Sequence, residues 1–194
     1  MSQQKTDRRV AYTKTALREA LVKLMVSQHI SAITVKSLCE LADMNRSTFY
    51  LHYRNQYDLL HQIEQEVLEG LGERLFSKQG GGTDASDLLP ISLGVMTEIL
   101  EYAWENAALA QVLLGENCDF AFHQDIMELA REVMIFPDDS LSIRTQDYIV
   151  IYGINGCIAL AKKWLKEGTI EQPSEIARIM LSLLYSGTTS LIAK

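Results

Sequence analysis

The stretch Asn45 to Leu60, NRSTFYLHYRNQYDLL, carries the side chains of this 194-residue chain best suited to meeting an anion. Taken as a short helix at the 3.6-residue period, it places Phe49 and Tyr53 on one side at i and i+4, with Arg46, Ser47, Tyr50 and Arg54 on the other. The second side offers guanidinium, hydroxyl and phenol groups and no carboxylate. Phosphate oxygens and guanine edges fit such donors. The plain alternative is an exposed polar helix face, because short basic helices are common.

The segment before this stretch favours the first reading. Thr34 is placed as an N-cap, and Val35, Leu38, Cys39 and Ala42 recur at helical spacing, which predicts a helix of about two turns. Asp43, Met44 and Asn45 then supply a tight turn, with Asn45 capping the next helix. Two short helices joined this closely make a unit that can lay its second helix in a major groove.

These residues, ITVKSLCELADMNRSTFYLHYRNQYDLL, resemble the DNA-binding signature of the tetracycline-repressor (TetR) family of bacterial transcriptional regulators. The resemblance covers Thr13 to Leu60; the remainder is similar only in being helical and of matching length. It implies that Thr34 and Lys36 stand at the start of the supporting helix, near the phosphate backbone. It also implies that Arg46, Ser47, Thr48 and Tyr50 belong to the recognition helix, and His52, Tyr53 and Arg54 to its end. Two positions depart from the family pattern. Asp43 stands where the family usually has Gly in a left-handed turn, a conformation Asp tolerates better than most residues. Gln56 stands where a Lys usually opens the fourth helix, which removes one phosphate contact.

Composition bounds the rest. With 47% apolar residues the chain can build a core, and its length allows one large or two small domains. The net charge of −7 is unevenly spread: residues 1–60 hold nine Lys or Arg against five acids, a net +4, and the remainder nine against twenty, a net −11. A basic head on an acidic body suits a DNA-binding module joined to a regulatory domain. Cys39, Cys118 and Cys157 are widely spaced in apolar helical contexts, as expected of reduced, buried thiols in a cytoplasmic protein. The four histidines form no ligand pattern with them, so no metal or other cofactor is implied. Met1 to Arg9 is polar and has no signal-peptide character. The apolar run Tyr148 to Ala161, interrupted by Asn155, is too short for the roughly 18 residues of a membrane span.

Along the chain, the patterning predicts a loose arm to Asp7 and a first helix from Thr6 or Arg8 to Ser27, with Leu17, Ala20, Leu21, Leu24 and Met25 in stripe. A long helix from Tyr57 to Lys78 follows, carrying Leu59, Ile63, Val67, Leu71 and Leu75 on one side and Glu64, Glu66, Glu69 and Glu73 towards solvent. Gly80 to Gly82 mark a connector. Further helices are expected over Leu88–Asn106, Ala107–Leu114 and Asp119–Phe136. The Tyr148–Ala161 run and a last helix over Ser174–Gly187 complete an all-α chain. The expected division is an N-terminal three-helix helix-turn-helix domain, residues 1–56, and a larger helical ligand-binding and dimerisation domain, residues 57–194.

Tyr148 to Ala161 is apolar on nearly every face, so both sides need covering, and Gly153 and Gly156 suit close approach of another backbone. The resemblance implies a homodimer interface from the last two helices, here through Tyr148, Ile151, Tyr152, Gly153, Gly156, Ile179 and Leu183. An internal core helix of a monomer is the alternative. Met96, Tyr102, Trp104, Phe120, Phe122, His123 and Met134 supply the soft and aromatic groups of an effector pocket, and the few cations of the body favour a neutral, aromatic or cationic ligand. Three function classes follow. The first is a dimeric regulator, a repressor by expectation, on a palindromic double-stranded DNA operator, gated by a small molecule. The second is a TetR-like adaptor or coactivator that works through a protein partner without an operator. The third is an enzyme, for which no nucleophile, nucleotide or metal motif speaks.

Overall fold

Leu17, Ala20, Leu21 and Met25 recur on one face of the first helix, α1 (Ser2–Met25), and all four are buried, as their spacing predicts. In the computed structural model, which describes residues 2–77, 91–115, 120–133 and 142–187, α1 begins at Ser2, so the expected loose arm is helical. Nothing in Ser2–Asp7 breaks a helix. A short 3-10 turn (Ile30–Ala32) leads to α2 (Val35–Leu41) and α3 (Arg46–Tyr50). The chain then turns at residues 51–55 before α4 (Gln56–Ser77), so the stretch from Asn45 to Leu60 is two helices and not one.

The long helix α4 matches expectation within a residue at each end. Leu59, Ile63, Val67 and Leu75 are buried along it, and Glu66, Glu69 and Glu73 are exposed. Glu64 corrects the pattern: it lies on the same face as buried Leu60 at i+4 and is only 7% exposed. Arg18 Nη1 stands 2.9 Å from Glu66 Oε2 and ties α1 to α4, an exposed pair worth at most about 1 kcal/mol.

The body continues with α5 (Leu93–Glu105), α6 (Ala107–Leu113), α7 (Phe120–Val133), α8 (Ile143–Lys166) and α9 (Pro173–Ser186). No strand occurs among the described residues. The helix expected from Leu88 starts at Leu93 because Ser92 Oγ accepts from Val95 N–H at 3.3 Å and caps it. Ser142 caps α8 in the same way, through Thr145 N–H at 3.2 Å, so that helix begins well before Tyr148. The glycine triplet Gly80–Gly82, Pro90, Cys118, Met134, Pro137, Asp138 and Asp139 lie outside the described residues.

Beside two small clusters, two main interiors result among the described residues. One gathers Leu17, Leu21, Leu38, Phe49 and Leu59 of the first four helices and continues without a break into Leu109, Val112 and Leu113 of α6 and Phe122 of α7. The other packs Trp164, Leu165, Ala177 and Met180 of α8 and α9 against Met96 and Leu100 of α5. Polar ties hold the second: Gln111 Nε2 donates to Leu165 O at 2.7 Å, Trp164 Nε1 to Glu171 O at 2.9 Å, and the Tyr185 hydroxyl accepts from Ile91 N–H at 2.9 Å and donates to Ile91 O at 3.1 Å. Burial pushes the Tyr185 phenol pKa up, against the opposing hydrogen bond with the Ile91 backbone and with a further push from Cys157.

The two sides of α8 have different surroundings. Val150, Gly153 and Ile154 face the subunit interior, whereas Tyr148, Ile151, Tyr152 and Gly156 are exposed. Gly153, expected at a subunit interface, is therefore corrected: a Cβ there would lie 2.5 Å from Leu184 Cδ1, so the close approach it permits is to α9 of its own chain. Overpacking such a site costs about 1–3 kcal/mol. Gly153→Val is expected to lower the urea midpoint correspondingly, and adding Leu184→Ala should recover part of the loss; additive losses in the double variant would contradict this contact.

Candidate nucleic-acid interface and adjoining chamber

Local hydrogen bonds fix the helix-turn-helix. Thr34 Oγ1 accepts from Ser37 N–H at 3.1 Å while Thr34 N–H donates to Ser37 Oγ at 3.1 Å, a reciprocal cap on α2. Asn45 Oδ1 accepts from Ser47 N–H at 3.2 Å and opens α3. Asn55 Oδ1 takes Asp58 N–H at 3.0 Å, and Asp58 Oδ2 takes Arg54 N–H at 2.8 Å, which fixes the turn into α4. Between α2 and α3 the chain reverses at Asp43, whose φ is 51°, the left-handed conformation expected there.

The five residues of α3 cannot hold a helix by themselves, so packing must. Phe49 is fully buried, with Tyr53 5.6 Å away centroid to centroid and Tyr50 meeting it edge-on at 5.6 Å. Cys39 on α2 is buried behind this contact; burial raises its thiol pKa, and the Arg46 guanidinium opposes the rise.

With α3 anchored in this way, Arg46, Ser47 and Tyr50 are exposed on its outer side, Tyr50 at 59%, and Thr48 is half-buried. Thr34, Lys36 and Arg54 are exposed and His52 is half-buried. Tyr53 corrects the expected outward set. Only 5% exposed, it is an anchor beside Phe49; burial raises its phenol pKa, with Glu66 and Asp58 adding and Arg18 opposing. Lys36 stands 3.8 Å from Glu40, a loose exposed pair that leaves its ammonium available. Tyr57, 47% exposed at the start of α4, is an outward aromatic close in sequence to Arg54 that the periodic reading did not single out.

In the body an apolar chamber of about 150 Å³ lies among α4, α5, α6, α7, α8 and α9. Of the expected pocket residues it takes Met96, Tyr102 and Phe122. Trp104 is excluded, being 48% exposed, and His123 is half-buried outside the lining. The side chain of Phe120 and all of Met134 fall outside the description. Val67 and Leu71 on α4, Leu109 on α6 and Cys157 on α8 also line it, and burial pushes the Cys157 thiol up to about 11. Two polar groups at the wall are engaged: Asn106 Nδ2 donates to Tyr102 O at 2.9 Å, and Arg74 stands over the Tyr102 ring, 4.3 Å from its centroid. Apolar stripes on α4 and α6 carry no mark that separates a packed face from a chamber wall.

No helix among the described residues is long and apolar enough to cross a membrane, and none of their His, Cys, Asp and Glu residues gather as a metal-binding group.

A capped helix-turn-helix head with an outward donor edge, joined to a helical body, is the layout of DNA-binding transcriptional regulators. Residues 93–186 match the family model TetR_C_8, described as "Transcriptional regulator C-terminal region". The chain is 23% identical over 171 residues to the uncharacterized HTH-type transcriptional regulator YxbF of Bacillus subtilis (strain 168), an alignment covering 87% of this chain and 43% of that protein. The chain thus spans less than half the length of this relative. Among solved structures, a TetR transcriptional regulator from Streptococcus agalactiae 2603V superposes with a TM-score of 0.60 at 24% identity, covering 94% of this chain and 98% of that one. FadR from Bacillus subtilis, solved in complex with stearoyl-CoA, superposes at 0.66 with 16% identity, covering 89% and 98%. Residues 93–186 thus match a TetR-type regulator C-terminal region, and the fold of the chain is similar to that of solved TetR regulators.

The left-handed turn generates a stability test. An L-residue in this conformation costs roughly 1–2 kcal/mol, a cost Gly escapes and a β-branched residue meets in full. Asp43→Gly is expected to raise the urea midpoint and Asp43→Val to lower it, while the reverse order would show that this turn is not strained.

Proposed function

We propose that the chain acts as a homodimer on a two-fold-symmetric operator in duplex DNA, as a repressor gated by a small molecule in the body chamber. Residues 1–56 serve as the DNA-binding head and residues 57–194 as the regulatory and dimerisation body, in the cytoplasm. The observation that carries this reading is the exposed Arg46, Ser47 and Tyr50 edge on a helix whose opposite side, Phe49, is fully buried. Arg46 and Tyr50 would meet base edges and phosphates, with Thr48 and His52 at the margins. Thr34, Lys36 and Arg54 would meet the flanking backbone.

Dimerisation is supported by the outward face of α8, where Tyr148 is 57%, Ile151 38% and Tyr152 73% exposed and no Cβ crowds Gly156. An apolar face of this kind is rarely left to water. Ile179 and Leu183 on α9, both half-buried, extend it. A two-fold pair of heads doubles the contacts and matches a palindromic site. Gating is supported by connectivity: α4 contributes Leu59 to the head interior and Val67 and Leu71 to the chamber wall, so a ligand that prefers one chamber shape acts on the head through one rigid helix. The stearoyl-CoA bound by FadR supports a small-molecule effector. Gln56 at the head of α4, which thins the cationic edge, favours a second reading as an adaptor acting through a protein partner.

Electrophoretic mobility shift with DNA flanking the gene separates the two readings. Arg46→Ala and Tyr50→Ala are each expected to weaken operator binding roughly 5- to 150-fold, the effect of losing about 1–3 kcal/mol, and log affinity of the intact protein should fall steeply with log salt. Full-strength binding by the double variant would refute the assignment. Tyr152→Glu is expected to yield monomers in sedimentation velocity with correspondingly poor operator affinity; an unchanged dimer would move the interface elsewhere.

The chamber has its own reporter. A pKa raised to about 11 favours the neutral thiol, so Cys157 should hold about a hundredfold less thiolate at pH 8 than an ordinary thiol near 9.0 and alkylate correspondingly slowly, the rate climbing as pH approaches 11. Mass spectrometry of the Cys157 peptide after iodoacetamide checks this. Rapid labelling at pH 8 would mean the chamber is open to water.

A further inference from the structure

Two further cavities border the apolar chamber. A second apolar compartment of about 130 Å³ adjoins it, the two sharing Leu71, Met96, Ile99, Ile126, Cys157 and Ile158 as a common wall. It extends away from α6, towards Ile91 and Leu184. At the other end, Leu114 at the close of α6 borders both the chamber and a wider cleft of about 550 Å³. That cleft differs in chemistry. Lys162, Lys163 and Lys166 line it, with no carboxylate in its wall, and its far side is Met25 and Val26 at the end of α1. Lys163 is ion-paired with Glu167, whereas Lys162 and Lys166 have no such partner among the described residues.

We infer, resting on the effector reading above, that the ligand is an amphiphilic anion, its chain in the two apolar compartments and its carboxylate or phosphate head on Lys162 and Lys166. Each compartment is comparable to or slightly smaller than the roughly 150 Å³ cavity that holds one benzene, so their union suits an elongated chain better than a compact ring system. Lys162 and Lys166 are like charges at i and i+4, which repel on a helix unless an anion meets them. The negative end of α8 attracts cations by itself, but it does not place them across Leu114 from an apolar chamber. The head site also lies against the end of α1, the first helix of the DNA-binding head, so an occupant there touches both halves of the molecule.

Isothermal titration of the full chain with dodecanoate, dodecyl phosphate and dodecanol, each below its micelle concentration, tests this. At least one of the two anions is expected to bind at least tenfold more tightly than dodecanol, and the tighter of the two identifies a carboxylate or a phosphate source. Lys162→Glu with Lys166→Glu should weaken that anion at least tenfold and leave dodecanol unchanged, the unchanged alcohol reporting an intact fold; the paired Gln variants should fall between. Equal binding of all three probes, or anion affinity indifferent to the lysine variants, would overturn the head-group assignment and leave the chamber reading standing. Absence of binding by all three, with Cys157 alkylation unprotected, would overturn the chamber reading as well.

Discussion

The burial of Phe49 is the constraint on which the rest of the head depends. A five-residue helix such as α3 has too few internal hydrogen bonds to persist in water, so its orientation is decided by what its inner side touches. Phe49 is fully buried in the interior that α1, α2 and α4 also supply, Tyr53 is set beside it, and caps at Thr34, Asn45 and Asn55 fix the entry into each surrounding helix. The donor edge of Arg46, Ser47 and Tyr50 points outward as a consequence of that packing and needs no interaction of its own. The scaffold rests on Phe49 and not on the outward side chains.

Much of this was legible because the signals were local. N-caps at Thr34 and Asn45, the left-handed residue at Asp43 and the i, i+4 pair Phe49 and Tyr53 each involve residues within one or two turns, where spacing determines geometry. The same locality explains the conflict over Tyr53. Its place at the end of the recognition segment suggested a DNA contact, while its register with Phe49 required burial, and register prevailed. Glu64 is the converse case, a carboxylate whose charge suggested solvent although its position in line with Leu60 placed it inside.

The body was legible as helices and not as a site. A chamber is a deficit of volume, and volume is a sum over side chains from α4 to α9 that no single segment carries. Trp104 illustrates the difficulty, since a large aromatic on a helix with an apolar face looks like a lining residue until the turn of α5 is known. Gly153 illustrates another. A glycine signals close approach without naming the partner, and here the partner is Leu184 of the same chain, while Gly156 one turn on faces open space.

The connection between head and body follows from the continuity of packing. The interior around Phe49 does not stop at the end of the head but runs through Leu109, Val112 and Leu113 of α6 and Phe122 of α7, so α6 is at once part of the head's support and a wall of the chamber. Close-packed interiors transmit displacement because few voids exist to absorb it. The chamber is such a void, placed where α4 and α6 both border it. On the proposed gating, filling it would remove slack from the two helices that carry the head, and the sign of the response would depend on which head separation the filled state prefers. On that proposal the empty space, rather than any one contact, would be the element through which binding in the body is felt at α3.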